Sequence, residues 1–287
     1  MSAMLDDMDS RAGSTTSLLR TVVGLYLRRL GGWMSVADLI ELMGQLGVSA
    51  PHTRTAVVRL KKKDLLVSTT VDGVVGYRLS AGAADMLERG DRRIFAARTM
   101  QPGDPWCLVS FSVPEELRHL RHQLRRRLSW IGCGLVSAGL WICPDFLRGE
   151  VEDILHDLGL REHATVFRTE RPIVAGELRD SVATWWDLEA LAGLHREFLA
   201  GLTALNTSDA GNGTAPGAFA NYVRLIDSWR VIPYVDPGLA ADVLPADWPG
   251  AESTVRFDAL STRYADAAWN YVASVAAGRS RLDTEAG

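Results

Sequence analysis

Cysteine is scarce: the 287 residues hold three, Cys107, Cys133 and Cys143. They are odd in number and form no CxxC pair, which argues against a disulfide framework or a structural zinc site and leaves buried, reduced thiols as the expectation. Long apolar runs are missing too. No stretch reaches the roughly 18 uninterrupted apolar residues that a membrane-spanning helix needs. The first sixteen residues carry three aspartates and no apolar segment. They make no secretory signal, so a loose polar tail over residues 1–16 and a cytoplasmic protein are expected. Enzyme signatures are equally thin. The six histidines show no HExxH or HxH spacing, and no GxSxG elbow occurs. Gly132-Cys133-Gly134 opens like a dinucleotide loop, but Ser137 stands where the third glycine should be. Glu115-Glu116 opens a helix, where capping explains the paired carboxylates. No catalytic residue, metal or cofactor is assigned.

What is present is an uneven distribution of charge. The chain carries a net charge of −4, which argues against indiscriminate coating of nucleic acid. Between Ser17 and Asp64, however, eight Arg/Lys face three Asp/Glu, a local excess of five positive charges. From Glu177 to the end, eight Arg face fifteen acidic residues, an excess of seven negative charges. A positive head on an acidic body suits local contact with phosphate.

Three blocks separate on pattern. The first opens with a helix over Ser17–Leu30, striped by Leu18, Val22 and Leu25 and stopped by Gly31-Gly32. Ser35 caps a second helix, Val36–Leu46, with Gly47 at its C-terminal cap. Only Val48 and Ser49 intervene before a third helix, in which Pro51 sits in the first turn and Thr53, Ala56, Val57 and Leu60 form the inward face. The period then switches to extended: Leu65–Thr70 and Val74–Leu79 flank the hairpin signal Val71-Asp72-Gly73. Ser80 starts a further helix to about Arg92. This order predicts a winged helix-turn-helix over 17–95.

The middle block, residues 104–172, alternates strands and helices in the order βαββαβ, which predicts a ferredoxin-like sandwich. Its first helix follows Pro114 and is apolar along Leu117, Leu120, Leu124 and Leu128. The last block, 177–287, reads as mostly helical, with segments at Asp180–Leu205, Phe219–Trp229 and Thr254–Ala276, and a flexible loop at Asn206–Gly217. The fold class is therefore α+β.

A helix in the major groove needs base-facing side chains in its N-terminal half and cations that reach flanking phosphates. The candidates are Ser49, His52, Arg54, Thr55, Val58 and Arg59, then Lys61, Lys62 and Lys63 at the helix end. From the hairpin only Arg78 and Tyr77 could touch backbone, because Ser68–Gly76 holds no Lys or Arg. A second basic surface follows Pro114, where Arg118, Arg121 and Arg125 recur at helical spacing beside Arg126 and Arg127. It reads as a solvated face, as auxiliary phosphate contacts, or as a cradle for the phosphates of a nucleotide-bearing effector. Six of nine tryptophans lie beyond Trp130; they suit either core packing or a pocket for a flat apolar ligand.

Several motifs resemble the PaaX family of phenylacetate-catabolism repressors. They are Leu25-Tyr26-Leu27; Arg54-Thr55-Ala56-Val57 with Arg59-Leu60; and Trp106 through Val113-Pro114-Glu115. Leu128-Ser129-Trp130-Ile131-Gly132-Cys133-Gly134 and Gly139-Leu140-Trp141-Ile142 follow. Trp186-Asp187-Leu188-Glu189, Asp236-Pro237 and Leu244-Pro245-Ala246-Asp247-Trp248-Pro249-Gly250 complete the set. The resemblance implies a winged-helix head, a central Cas2-like ferredoxin domain and a helical C-terminal domain. It further implies binding to double-stranded operator DNA as a homodimer, with repression relieved by an acyl- or aryl-CoA thioester, typically phenylacetyl-CoA. On that implication the effector candidates are Arg118, Arg121, Arg125, Trp141, Trp186, His195, Trp229 and Arg230. The chain departs from the family at Asp64 (usually glycine), at His195 (usually tyrosine), at Gly238-Leu239 after Asp236-Pro237, and in the arginine-free hairpin tip. An early-strand aspartate, as a Cas2-type nuclease would need, is missing between Trp106 and Ser112. Two rival readings stay open: an enzyme acting on a CoA thioester or nucleic acid with a DNA-tethering head, and a protein-interaction module whose acidic half binds a partner.

Overall fold

A computed structural model describes residues 11–207 and 214–285. Residues 1–10 of the expected polar tail and 208–213 of the expected loop lie outside the described residues. The chain divides into two compact units. The first comprises residues up to Arg92, Phe198–Arg230 and residues from Glu252 onward. The second comprises Arg93–Glu197 and Val231–Ala251. The acidic C-terminal half thus contributes to both.

In the first unit α1 (Thr15–Val22) starts earlier than the apolar stripe suggests, because Ser14 caps it by accepting the Ser17 N–H. Residues 11–16, read as tail, therefore include the first turn of a helix. The helix widens into a π-turn over Val23–Leu27. A strand that the sequence pattern did not reveal follows, β1 (Trp33–Ser35). Then come α2 (Val36–Gln45), α3 (Ala50–Lys62), β2 (Leu66–Val71), β3 (Val74–Leu79) and α4 (Ala81–Phe95). The strands form an antiparallel sheet in the order β1-β3-β2. Asp72 and Gly73 both take positive φ, 49° and 81°, the two-residue turn that matches strand twist.

The second unit contains β4 (Trp106–Phe111), α5 (Arg118–Trp130), β5 (Gly134–Ser137), β6 (Leu140–Pro144), α6 (Arg148–Asp157) and β7 (Ala164–Thr169). The sheet is antiparallel in the order β5-β6-β4-β7, the ferredoxin-like arrangement expected from βαββαβ. One core includes Val109, Leu124, Leu128, Val151 and Leu155. A second includes Trp106, Ile142, Val182, Trp186 and Leu239.

The helix expected over 180–205 is two helices, α7 (Leu178–Trp185) and α8 (Leu188–Thr207). Trp186 takes extended backbone, φ −124° and ψ 145°, and its indole N–H donates to Gly132 O at 2.9 Å. Asp187 then restarts the helix by accepting the Ala190 N–H at 3.0 Å. The chain ends with α9 (Ala215–Trp229), a short α10 (Ile232–Val235) and α11 (Gly250–Glu285). Thr214 caps α9 through Gly217 N, so the loop read from 206–217 is shorter than its composition suggests.

Candidate nucleic-acid interface

Helix α3 is placed by the turn before it. Gly47 takes φ 78°, and Val48 N–H reaches back to Met43 O at 3.0 Å, a Schellman closure that ends α2 within one residue. A residue with a Cβ would be strained at that φ. Ser49 holds the N-cap position, but its hydroxyl pairs with His52 Nδ1 at 2.9 Å rather than capping a backbone N–H. Thr53, Ala56, Val57 and Leu60 are buried, as the spacing predicts.

The opposite face carries the candidates. His52, Arg54, Thr55, Val58, Arg59, Lys61 and Lys62 are exposed. Arg54, Val58 and Lys62 recur at four-residue intervals and so lie in one row. Among the described residues neither Arg54 nor Lys62 has a hydrogen bond or ion pair. The others are partly engaged. Thr55 Oγ1 donates to Pro51 O at 3.1 Å, and Lys61 Nζ donates to Ser68 Oγ at 2.8 Å. Arg59 Nη1 donates to Thr16 Oγ1 of α1 at 3.3 Å. Lys63 is half-buried, and it is the C-cap of the helix. Arg78 is exposed on β3 and lies between Trp33 and Val67 in the register. The hairpin tip carries Asp72 and no cation.

The effector candidates are divided between the two units. Arg121 donates to Val113 O at 3.2 Å and Glu115 at 2.8 Å. Arg125 donates to Ala138 O at 2.6 Å, and Arg118 stands 3.8 Å from Glu115. Arg127 turns partly inward, and burial lowers its pKa from the ordinary arginine value. Trp141 is buried in the core under α5. Trp186 belongs to the second core of the same unit, where its indole packs so closely on Gly134 that a Cβ there would fall 2.6 Å from the ring.

His195 is also buried in that unit, 2% exposed, with Nε2 2.8 Å from Asp236 Oδ2. The other Asp236 oxygen accepts the Gly238 N–H at 2.8 Å, and the Trp248 ring meets His195 edge-on at 5.7 Å. Trp229 and Arg230 belong to the first unit. Trp229 stacks on Phe257 at 4.6 Å and packs against Phe198 at 5.1 Å. Arg230 is buried against Asp227 and Ser17. Sequence reasoning missed the partners Asp227 and Asp236. The available signals were Asp227, three residues before Arg230, and the Asp236-Pro237 motif, which lies 41 residues from His195.

A mixed α+β chain, with a three-stranded head that presents a basic helix and a Cas2-like βαββαβ sandwich, defines the class. Family models match in chain order: PaaX-like protein over residues 14–83, PaaX protein central Cas2-like domain over 100–182, and PaaX-like protein C-terminal domain over 186–274. The chain belongs to the PaaX family. It is similar to the transcriptional repressor PaaX of Escherichia coli (strain K12), 26% identical over 243 residues that cover 83% of this chain and 76% of the relative. The solved structure of the uncharacterized protein Rv0674 from Mycobacterium tuberculosis aligns at a TM-score of 0.56 with 24% identity, covering 87% of this chain and 96% of that one. That likeness bears on the fold. No described helix is long and apolar enough to cross a membrane.

Proposed function

We propose that this chain is a sequence-specific DNA-binding repressor that works in the cytoplasm as a homodimer. In this reading residues 17–95 form a winged helix-turn-helix, α2 and α3 are its helix pair and β2–β3 its wing. Residues 104–172 are the Cas2-like domain and 177–287 the helical C-terminal domain. The observation that carries the reading is the exposed row Arg54, Val58 and Lys62, whose two cations have no partner among the described residues and stand on the helix that the Gly47 turn starts. Arg54 sits in the N-terminal half, where a recognition helix meets base edges, and Lys62 near the end, where it reaches phosphate. Arg59, held to Thr16, positions α3 more than it reads bases. A small-molecule effector, in the manner of the family an aryl-CoA thioester, relieves repression by favouring a dimer that no longer fits the operator. A switch from nearly full to nearly empty occupancy requires about a 10⁴-fold difference in affinity between the two forms.

The test begins with selection of bound duplexes from random DNA by the full chain. Arg54→Ala then lowers discrimination by ~1–3 kcal/mol at one base position, while Lys62→Ala weakens all sequences about equally. Undiminished discrimination by Arg54→Ala removes the base-reading role. Thermal-shift measurements with phenylacetyl-CoA test the effector.

A further inference from the structure

The second basic surface has properties that packing and capping do not explain. From Leu117 to Pro144 the sequence contains no Asp or Glu, while residues 118–127 hold five arginines and two histidines. Helix α5 turns Leu124 and Leu128 inward, and Arg118, His122 and Arg126 recur at four-residue intervals on the opposite, exposed face, joined by His119. A row of this kind extends ~12 Å along the helix axis, at 1.5 Å per residue. The helix dipole accounts for cations in the last turn, such as Arg126 and Arg127. It opposes them in the first turn, where Arg118 and His119 stand. Glu115 is shared between Arg118 at 3.8 Å and Arg121 at 2.8 Å, so it neutralises neither arginine fully. Arg126 lies over the Trp130 ring at 5.2 Å, which holds its guanidinium along the surface.

We infer that the α5 face formed by Arg118, His119, His122 and Arg126 is a second, sequence-independent binding surface for the phosphate backbone of duplex DNA. The inference rests on the DNA-binding reading of α3. The shape of the surface selects the ligand. A small phosphate ester needs a concave site that surrounds it with donors. A convex row of exposed arginines and histidines suits a polyanion instead, one with a charge every ~3.4 Å along each strand. Arginine serves such contacts well, because its planar fork meets two phosphate oxygens at once. No base edge is read here, so the surface adds affinity and salt dependence without adding selectivity.

The experiment uses the full chain and a duplex that carries its selected sequence, flanked on both sides by about two helical turns, ~20 base pairs. The variant Arg118→Gln/His122→Gln/Arg126→Gln changes only exposed side chains, and its thermal midpoint is checked against the parent. The slope of log affinity against log salt falls by about 2 in the variant, at ~0.9 for each phosphate that is no longer neutralised. Its preference for the selected sequence over random DNA is unchanged. Arg118→Lys/Arg126→Lys, which keeps the charge, restores most of the slope.

An unchanged slope in the glutamine variant overturns the inference and leaves the α3 reading intact. If the parent chain binds no duplex, both fall. If coenzyme A shifts the thermal midpoint of the parent but not of the variant, while the DNA slope stays the same, the phosphates belong to a small ligand and the backbone assignment is wrong.

Discussion

Ser17 of α1 donates its hydroxyl proton to Asp227 of α9 at 2.6 Å, across 210 residues of chain. The same carboxylate oxygen accepts Thr21 Oγ1 at 2.9 Å and Arg230 Nε at 3.3 Å, and the other accepts Gly13 N–H at 2.7 Å. Arg230 Nη2 in turn donates to Ser17 Oγ at 2.9 Å. Asp227 is 1% exposed, so its charge is compensated by these partners and hardly at all by water. Thr16, two residues after the Ser14 cap, also receives the Arg59 side chain of α3. The C-terminal helix α9 therefore fixes the start of α1, and α1 helps to fix α3.

Removal of one partner from such a network strands the rest. Asp227→Ala leaves the Arg230 guanidinium buried without its counter-charge, which costs ~3–5 kcal/mol of stability. Urea denaturation of the two proteins measures the loss as a lower midpoint with an unchanged slope. Asp227→Asn keeps an acceptor oxygen and loses less. A midpoint for Asp227→Ala within about 0.5 kcal/mol of the parent, the range of an ordinary surface change, means the network is ornamental to stability.

The elements governed by local pattern were legible in the amino-acid sequence. The inward face Thr53, Ala56, Val57 and Leu60 follows from helical period, and the hairpin around Asp72-Gly73 from turn chemistry. The βαββαβ order gave the sheet topology. Strand β1 was hidden because three residues after Gly31-Gly32 show no period, and its pairing with β3 lies some forty residues away. The break at Trp186 was hidden because its cause is a hydrogen bond to Gly132, 54 residues earlier. The outward residues of α3 were legible as a set. Their ranking was not: only the contact from Arg59 to Thr16 separates it from the unengaged Arg54. For the same reason the partners of Arg230 in α1 and of Trp229 in α11 were not legible in the sequence.

Asp64 stands at a position shaped for glycine. It follows α3 with φ 53°, and Leu65 N–H closes back on Leu60 O at 3.0 Å, which is a helix end that calls for a left-handed residue. Aspartate tolerates this conformation better than most residues, yet glycine adopts it without a Cβ penalty. Asp64→Gly raises stability by ~0.5–1 kcal/mol on these grounds, read from the denaturation midpoint. It also removes a negative charge next to Lys61–Lys63, the only lysines in the chain. Affinity for random duplex DNA therefore rises at low salt and converges with the parent at high salt, where screening removes the difference. A destabilised variant contradicts the assigned backbone role.

The three thiols form a buried chain that ought to be chemically silent. Cys107 and Cys143 face each other across β4 and β6, and all three cysteines are free and buried. The hydrogen bond to Cys143 and then burial push the Cys107 thiol far above its ordinary pKa. At Cys143 the hydrogen bond from Cys107 acts downward, but the one to Cys133 and burial outweigh it and leave that thiol high as well. Only the thiolate reacts readily. With Cys107 and Cys143 held as thiols and Cys133 shielded by burial, Ellman's reagent labels none of the three in the native protein over minutes at neutral pH, and all three once urea unfolds the chain. Prompt labelling of one native thiol would show that this core opens.

His195 joins α8 to the segment after α10 through one carboxylate. Its Nε2 sits 2.8 Å from Asp236 Oδ2, and Asp236 holds the backbone at Gly238 through its other oxygen. Gly238 O in turn accepts Met100 N–H at 2.8 Å, so the pair anchors the loop that covers the second core. His195→Ala opens a void beside Trp248 and leaves a largely buried carboxylate short of a partner, each a recognised cause of large losses. The hydrogen-bond part alone costs ~1–3 kcal/mol. Asp236→Asn retains an acceptor for Gly238 and so loses less than His195→Ala. Because the two residues share one bond, their effects are not independent. A double-mutant cycle returns a coupling of ~0.5–3 kcal/mol, whereas strict additivity would show that the 2.8 Å contact contributes nothing of its own.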